Sequence, residues 1–391
     1  MDRRSSDGAT QPVVSGRTLP LLAGYWSFGQ FWGFWVILVL EFQRHHGLSD
    51  GRLGVLYSFA TIVAIATMLV GAPRLQRLPL STSVPLSLAS LALGAFALAS
   101  QPTSMLAATF ALAGLGNGLI DVYLNIAGQR EETRTRRPVL QWLHASYALG
   151  GVTGASIAGA LRSLNVDHRW GIALSGVALL ATAAWNRSRA SPEPAAEGPA
   201  PTFSVSALRR SPALWIPALT VLFAFLVEGS MDIWSGLYLR EELGASVGAA
   251  AAAFVAFAGA LFVGRLFAAK VLFGLGPRRT ILVAGLGSTV GGAVAVLTDA
   301  TPIVAAAFLL MGFAISAAGP AAFGLVEGAT DDPTSAITAV ATVGYTGFIW
   351  SPPLLGWIAD IADLRAAMAV IVLATLGITV TGLVRRPSAP G

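Results

Sequence analysis

The sequence of 391 residues contains no cysteine. Disulfide bonds, thiolate metal ligands and thiol catalysis are therefore excluded for this chain. Charged residues are also scarce, at 12% of the sequence, whereas hydrophobic residues make up 54%. A soluble globular domain normally carries about 25% charged residues. This composition predicts a membrane protein.

The motifs of the common enzyme classes are also missing. The sequence has no P-loop and no nucleophile elbow, and the adjacent His45 and His46 have no third ligand at metal-binding spacing. We therefore expect a protein that is not an enzyme and has no cofactor or metal site. Nucleic-acid binding is not expected either, because the basic residues are spread over separate loops and form no patch with interleaved aromatic residues.

Long apolar segments are what the sequence does have. A helix of about 20 apolar residues crosses a membrane, and such segments recur along the whole chain. The twelve predicted spans are 19–40, 52–72, 80–100, 103–127, 140–161, 169–186, 213–239, 246–272, 279–298, 301–326, 335–358 and 362–384. They predict an all-α membrane protein.

A long polar stretch divides six of these spans from the other six. It is rich in Pro, Ala, Ser and Glu, which is typical of a flexible linker. Trp35 and Gly151 in one half have counterparts in Trp234 and Gly347 in the other, and internal repeats are typical of secondary transporters. The predicted parts are a cytoplasmic tail 1–18, a six-helix bundle 19–186, a cytoplasmic linker 187–212, a second six-helix bundle 213–384 and a cytoplasmic tail 385–391.

The distribution of positive charge predicts the orientation. Loops that face the cytoplasm carry an excess of Lys and Arg in membrane proteins. Six of the 25 Lys and Arg residues fall on one side, which predicts both termini in the cytoplasm and a multi-pass protein of the cytoplasmic (inner) membrane. These six are Arg44, Arg52, Arg162, Arg169, Arg240 and Arg365. The first span follows a polar segment without a small-residue cleavage site, so no cleaved signal peptide is predicted.

The fourth span carries a carboxylate at membrane depth, Asp121, with Asn117 and Asn125 one turn to either side. Placing such a group in hydrocarbon costs roughly 2.5 to 3.5 kcal/mol, so it usually faces a polar cavity and handles protons, ions or substrate. The spacing i, i+4, i+8 puts the three side chains on one helix face. We predict proton coupling by Asp121 and substrate contact by both asparagines. The alternative is an Asp121 held permanently by neighbouring donors or by Arg130.

The seventh span carries two more carboxylates, Glu228 and Asp232, one helical turn apart. Two like charges this close do not both ionise easily in a low dielectric, which predicts a second proton site. The alternative is an Asp232 that lies near the outer interface and is simply solvated. Trp234, on the same helix, is predicted to contact substrate.

The first span contains a run of aromatic residues from Tyr25 to Trp35. Trp26 and Gln30 share a polar face of this helix and are predicted to bind substrate, because a ring can stack on a solute and an amide can donate and accept hydrogen bonds. Most of the other rings are expected to face lipid or to pack against neighbouring helices.

Further candidate site residues are predicted from their positions in the other spans. Predicted substrate-binding residues elsewhere are Gln141, His144, Tyr147 and Tyr345. His144 is either a proton relay or a structural, hydrogen-bonded histidine. Basic residues at the ends of the second and eighth spans are predicted to gate the cytoplasmic side or to set the topology. These gating candidates are Arg74, Arg77, Arg265 and Lys270.

Three patterns in the sequence resemble the major facilitator superfamily, and the resemblance extends from Leu19 to Leu383. The patterns are Gly114-x-Gly-Asn-Gly-x-x-Asp121-x-x-x-Asn125 followed by Gln141-x-x-His144-Ala-x-Tyr-x-x-Gly-Gly151, then Glu228-Gly-x-x-Asp232-x-Trp234-x-x-x-Tyr-Leu239, and Gly344-Tyr-x-Gly347-Phe-x-x-x-Pro-Pro353-x-x-Gly356-x-x-Ala-Asp360. Within the superfamily they are similar to the YbjJ-type and fucose-permease-like bacterial inner-membrane branch. The resemblance implies two pseudo-symmetric six-helix bundles and a proton-coupling carboxylate in the fourth helix.

Two departures from the superfamily pattern qualify this resemblance. The loop Gly71-Ala-Pro-Arg74-Leu-Gln-Arg77 keeps the basic residues of the usual latch but has no acid. The fifth span has Gly150-x-x-x-Gly154-Ala155, without the proline that drug antiporters usually carry. The first departure predicts a differently partnered latch, and the second disfavours drug export.

These features together predict a secondary active transporter that works by alternating access. The leading hypothesis is proton-coupled symport of a sugar-like or neutral polar compound by a monomer in the lipid bilayer. The alternative is proton antiport that exports a drug or amphipathic metabolite. A third reading is a non-transporting membrane sensor, since a fold alone does not assign a function.

Overall fold

A computed structural model describes residues 16–71, 74, 78–137, 139–189, 206–326, 330 and 332–384. The regular structure in these residues is helical, with no β-strand among the described parts. The long helices are α1 Thr18–His46, α2 Asp50–Ala66, α3 Leu80–Ser100, α4 Leu106–Thr135, α5 Val139–Ser163, α6 His168–Arg189, α7 Trp215–Leu237, α8 Val247–Leu275, α9 Pro277–Leu297, α10 Thr301–Ile315, α11 Pro333–Ile361 and α12 Leu364–Leu383.

Each predicted span corresponds to one of these helices, which confirms the all-α membrane fold. Helices α2 and α7 end in the π-helical turns Thr67–Gly71 and Tyr238–Glu242, and α10 is followed by a second segment, Ala318–Gly324. Among the described residues, eight helices are long and apolar enough to cross a membrane, namely α2, α3, α4, α7, α8, α9, α10 and α12.

In each half, glycines allow one pair of helices to pack with their backbones in close contact. A Cβ atom on Gly150 of α5 would lie 2.0 Å from the Trp26 carbonyl oxygen of α1, and one on Gly154 would lie 2.3 Å from that of Gln30. In the second half, a Cβ atom on Gly347 of α11 would lie 2.4 Å from the Leu222 carbonyl oxygen of α7. Small residues allow backbones to approach this closely in a membrane. The α1–α5 and α7–α11 pairs are therefore equivalent, as the predicted pseudo-symmetry requires.

The described ends of the predicted linker are helical. Helix α6 continues to Arg189, and Ser206–Arg210 forms a short helix. Its Ala207 and Leu208 are buried against a cluster that includes Ala336 of α11. Apolar side chains at the end of the predicted linker dock it onto the second half. Residues 190–205 lie outside the described residues.

The halves meet at the ends of the helices that carry the α1–α2, α5–α6, α7–α8 and α11–α12 loops. We call this end the sealed face and the opposite end the open face. At the sealed face the Arg240 guanidinium, after α7, donates to both carboxylate oxygens of Glu41 in α1, at 2.6 and 2.8 Å. Arg162 of α5 lies 3.2 Å from the same carboxylate. Arg240 thus links the second half to Glu41, while Arg162 pairs with the same acid from within the first half.

A second contact at the sealed face joins α2 to α11. The Asp360 carboxylate of α11 accepts hydrogen bonds from the Ser49 hydroxyl at 2.8 Å and from the Gly51 amide at 3.0 Å. A residue of the second half therefore caps a helix of the first. Farther along, a Cβ atom on Gly54 would lie 2.4 Å from the Pro352 carbonyl oxygen. The two backbones are in direct contact there.

Candidate functional site: a cavity between the halves

A cavity of about 700 Å³ lies between the two halves. Helices α1, α2, α4 and α5 of the first half and α7, α8 and α11 of the second supply most of its walls. Aromatic rings dominate these walls. They are Tyr25, Phe28, Phe31, Trp32, Trp35, Tyr57, Phe110, Tyr147, Phe254, Phe257, Phe262, Tyr345 and Phe348.

Solvent exposure shows the direction in which the cavity opens. Trp35 is 3% exposed and Phe257 is fully buried, so the cavity is closed to solvent near the sealed face. Gln141 and His144 are exposed, and the Arg265 side chain is 47% exposed. Water therefore reaches the polar part of the cavity from the open face.

The aromatic run of α1 corrects an expectation. Most of these rings were expected to face lipid or to pack, but Tyr25, Phe28, Phe31, Trp32 and Trp35 all line the cavity. The reason is the small residues on the other side of the helix, which hold α1 against α5. This packing leaves the aromatic side of α1 facing the cavity.

Trp26 and Gln30 lie on that packing side and outside the cavity. Trp26 lines a separate groove with Trp185, formed by α1, α5 and α6. Gln30 is 4% exposed, and its side-chain oxygen has no hydrogen-bond partner among the described residues. A Cβ atom on Gly33, one turn away, would lie 2.2 Å from the Gly151 carbonyl oxygen. The face that the sequence predicts for substrate is therefore a helix–helix contact.

Helix α4 places Asp121 and Asn117 in the cavity wall. The Asp121 carboxylate makes no hydrogen bond or ion pair, either with Arg130 or with any other residue that the structure describes. Asn125 lies outside the cavity, where its side-chain amide donates to the Asp121 backbone carbonyl at 2.6 Å. The described residues therefore do not hold Asp121 in place.

Three phenols share the cavity with Asp121, namely those of Tyr25, Tyr147 and Tyr345. Tyr25 packs edge-on against His144, with ring centroids 5.5 Å apart. These residues come from α1, α5 and α11, so Asp121 faces both halves of the molecule.

Helix α7 places Glu228 and Asp232 in the cavity wall. The partner of Glu228 is Arg265 of α8, with which it forms an ion pair at 2.8 Å. This guanidinium stabilises the ionised form of Glu228 without a proton shared with Asp232. Within the described part of the chain the Asp232 carboxylate makes neither a hydrogen bond nor an ion pair. Asp232 and Tyr57 line the same cavity. The cavity thus holds two unpaired carboxylates, one from each half.

Arg265 lies deeper than the sequence indicates. It was grouped with the gating residues at the end of the eighth span, but α8 continues to Leu275, roughly 15 Å farther along the helix axis. Phe254, Phe257 and Leu261 precede it at helical spacing and line the cavity with it. This spacing is the signal by which the rings of α8, missed in the sequence, could have been found.

The remaining candidates divide between the cavity and other places. Gln141, His144, Tyr147 and Tyr345 line the cavity. Trp234 is fully buried outside it, against Gly356 of α11. Arg74 donates to the Val70 carbonyl at 2.6 Å, Lys270 is exposed, and Arg77 lies outside the described residues. The structure therefore gathers the acids and several polar residues around one cavity.

No group of three or more His, Asp or Glu side chains that could hold a metal ion occurs in the part of the chain that the structure describes. The chemistry that the cavity walls offer is proton uptake by carboxylates, attraction of positive charge, stacking on rings and hydrogen bonding to amides.

Two helical halves around a central cavity that is closed at one face define a membrane transporter fold. The model of the Major Facilitator Superfamily matches residues 21–352. The chain belongs to this superfamily, and its members are membrane transporters. The superfamily expectation from the sequence is therefore confirmed.

Relatives and solved structures agree with this assignment. An uncharacterized MFS-type transporter of Yersinia pestis is 28% identical over 384 residues, which cover 96% of this chain and 97% of that protein. An uncharacterized transporter of Sinorhizobium fredii is 26% identical over 89% of this chain and 93% of its own length.

Among solved structures, the nucleoside transporter NupG, in a mutant form, has a TM-score of 0.80 at 11% identity and covers 94% of this chain and 99% of its own. A bacterial homolog of the human lysosomal transporter Spinster, in an inward-facing and unoccupied conformation, has a TM-score of 0.75 at 15% identity. It covers 94% of this chain and 96% of its own. These similarities establish the fold.

Proposed function

We propose that this protein is a proton-coupled secondary transporter of a small polar organic solute, and that Asp121 carries the proton. The observation that supports this role is a carboxylate in the wall of an aromatic cavity with no ion-pair partner among the described residues. An acid that is not neutralised by a fixed cation can take up and release a proton as its surroundings change.

Alternating access is supported by the difference between the two faces. The halves are joined at the sealed face by Glu41, Arg240 and Asp360, while water reaches the cavity from the open face. Breaking these contacts and closing the opposite side would expose the cavity to the other compartment. Rocking of two halves around a central site is the expected motion for this architecture.

We place the open face in the cytoplasm of a bacterial cell, with the protein in the inner membrane. The excess of Lys and Arg on the side that carries the α6–α7 linker supports this orientation. In this orientation the structure represents the inward-open state, and the sealed face is the outer one.

We favour symport of solute and proton over antiport. Asn117 and Gln141 line the cavity and offer amide groups that can hydrogen-bond to a polar solute. Proton-driven export of an amphipathic cation is the second candidate. It is favoured by the dense aromatic walls and by Asp232, an unpaired acid on the second half. The direction of proton movement separates the two.

The test is solute-dependent proton flux in proteoliposomes, measured with sugars, amino sugars and cationic aromatic compounds. Asp121→Asn should abolish proton flux, because an amide cannot carry the proton. The matched control is Asp167→Asn, which removes an acid that pairs with Arg169 in the exposed α5–α6 loop, and flux should persist there. Flux that survives in Asp121→Asn would contradict the role of this residue, and the sign of the flux distinguishes symport from antiport.

A further inference from the structure

The charges that line the cavity do not balance. Among the described residues that line it, three carboxylates, Asp121, Glu228 and Asp232, face one guanidinium, Arg265. The ion pair at 2.8 Å between Glu228 and Arg265 neutralises both of those groups. Asp121 and Asp232 therefore leave the cavity with two uncompensated negative charges when both are ionised.

An occluded cavity cannot keep these charges without a counter-charge. When the halves close on both sides, water is excluded, and an unpaired ion in a low-dielectric interior costs several kcal/mol. The proton that we assign to Asp121 neutralises one carboxylate. With a neutral solute the other carboxylate would need a second proton, whereas a solute with one positive charge would make the occluded cavity neutral without one.

The walls around Asp232 fit a cation. The rings of Tyr57, Phe254 and Phe257 line the same cavity as the Asp232 carboxylate. The faces of aromatic rings attract cations, by about 0.5–1 kcal/mol at exposed sites and by about 2 kcal/mol when water is excluded. An anionic solute has no comparable site, because Arg265 is already paired with Glu228.

We infer that the transported solute is an organic cation, and that its ammonium group binds to Asp232 against the aromatic walls. This inference rests on the proposed function, in which Asp121 takes the proton, and it narrows the solute class from small polar organic compounds to those that carry an amine. The cavity of about 700 Å³ suits a small compound.

The test compares pairs of compounds that differ only in an amine in place of a hydroxyl group. Suitable pairs are 2-phenylethylamine with 2-phenylethanol, and glucosamine with glucose. Binding to the purified full-length protein is followed by tryptophan fluorescence, since Trp32 and Trp35 line the cavity, and is checked by calorimetry. In at least one pair the amine should bind about tenfold or more tightly than its hydroxyl partner.

Two variants locate the amine. Asp232→Asn should reduce the affinity for the amine to that of the hydroxyl compound and leave the latter unchanged. Asp232→Glu keeps the charge and should keep the preference for the amine, which separates loss of charge from loss of folding. The exposed Asp167→Asn should bind as the native protein does.

Three results would overturn the inference. These are equal binding of amine and hydroxyl partner by the native protein, a preference that survives Asp232→Asn, and no binding of either amine at millimolar concentration. The proposed function is judged separately, by the proton flux of Asp121→Asn. A proton-coupled transporter that binds both members of each pair equally would retain that function and lose only the solute class.

Discussion

The two faces of the molecule differ in what their polar side chains connect. At the sealed face they cross between the halves, as in the pairing of Arg240 with Glu41. At the open face the hydrogen bond from Thr18 of α1 to Glu131 of α4, at 3.0 Å, stays within the first half. Polar contacts suit a junction that must open, because water can replace their hydrogen bonds when the halves separate. The sealed face is thus built for reversible closure.

The close approach of α2 and α11 is the contact whose loss should have the largest effect. Gly54→Ala places a methyl group 2.4 Å from the Pro352 carbonyl oxygen, which is backbone and can yield only if the helices separate. We expect the sealed face to open and transport to fall by at least about tenfold, which corresponds to ~1.4 kcal/mol in the conformational equilibrium.

The absence of native cysteine allows a direct measurement. Spin labels on cysteines introduced at Ser104 and Ala300, in exposed loops of opposite halves on the sealed face, report the distance between the halves. Gly54→Ala should shift this distance to larger values. Gly259→Ala is the control, since a Cβ atom there meets nothing within 4 Å. An unchanged distance in Gly54→Ala would show that the contact is not needed for closure.

Loss of the negative charge at Glu41 should have the second-largest effect. Glu41→Gln leaves the guanidinium groups of Arg240 and Arg162 close together without their acid. Glu41 and Arg240 are each 11% exposed, so the effect should lie between that of a buried pair and a surface pair, at about 1–3 kcal/mol in favour of opening. The same spin labels should show a second, longer distance. A comparable shift in Asp167→Asn, whose ion pair with Arg169 stays within the first half, would contradict this interpretation.

The cap that Asp360 provides for α2 should have a smaller effect. Asp360→Ala removes the acceptor for the Ser49 hydroxyl and the Gly51 amide, and loss of a helix cap typically costs about 1 kcal/mol. Asp360→Asn keeps an acceptor oxygen. We therefore expect the labelled distance to shift in the alanine variant and to change little in the asparagine variant. Equal shifts in both would show that the charge, and not the hydrogen bonds, holds this contact.

The sequence predicts the fold well because hydrophobic length is a strong local signal. Each of the twelve predicted spans corresponds to a helix, and Asp121 stands out because a carboxylate is costly in an apolar segment. The orientation of α1 was harder to predict. Lipid and an aromatic cavity both accept apolar side chains, so hydrophobicity alone could not tell which side of the Tyr25–Trp35 run faces the cavity. The glycines at positions 29 and 33 carried that information.

The partners of the charged residues could not be predicted from the sequence. Glu228 has Asp232 one turn away on its own helix, and this local neighbour suggested a shared proton. Its actual partner, Arg265, is 37 residues farther along the chain. The contact between Asp360 and Gly51 spans 309 residues. Such pairs depend on the arrangement of whole helices, which no local pattern encodes.

The exposed ion pair between Arg44 and Glu241 should contribute least among the contacts that cross the sealed face. Their side chains are 65% and 36% exposed, and surface pairs contribute about 0–1 kcal/mol. Glu241→Gln should therefore change the labelled distance slightly at low salt and not at all at high salt, where exposed charges are screened. The effect of Glu41→Gln should persist at high salt. If salt removed both effects, the cluster at Glu41 would have to be as solvated as this surface pair.

A cap at the open face should affect stability without affecting the sealed face. The hydrogen bonds that Ser335 donates to the Asp332 carboxylate lower the pKa of that group. A lowered pKa in the folded state stabilises the fold above the unfolded pKa of about 4, and this contribution is lost as the pH falls through the folded pKa. Asp332→Ala should lower the unfolding temperature by about 1–2 °C at pH 7, with a difference that narrows below about pH 4. Because Asp332 and Ser335 belong to the same half, the distance between the spin labels should not change. A change in that distance would mean that the open-face cap is coupled to closure of the sealed face.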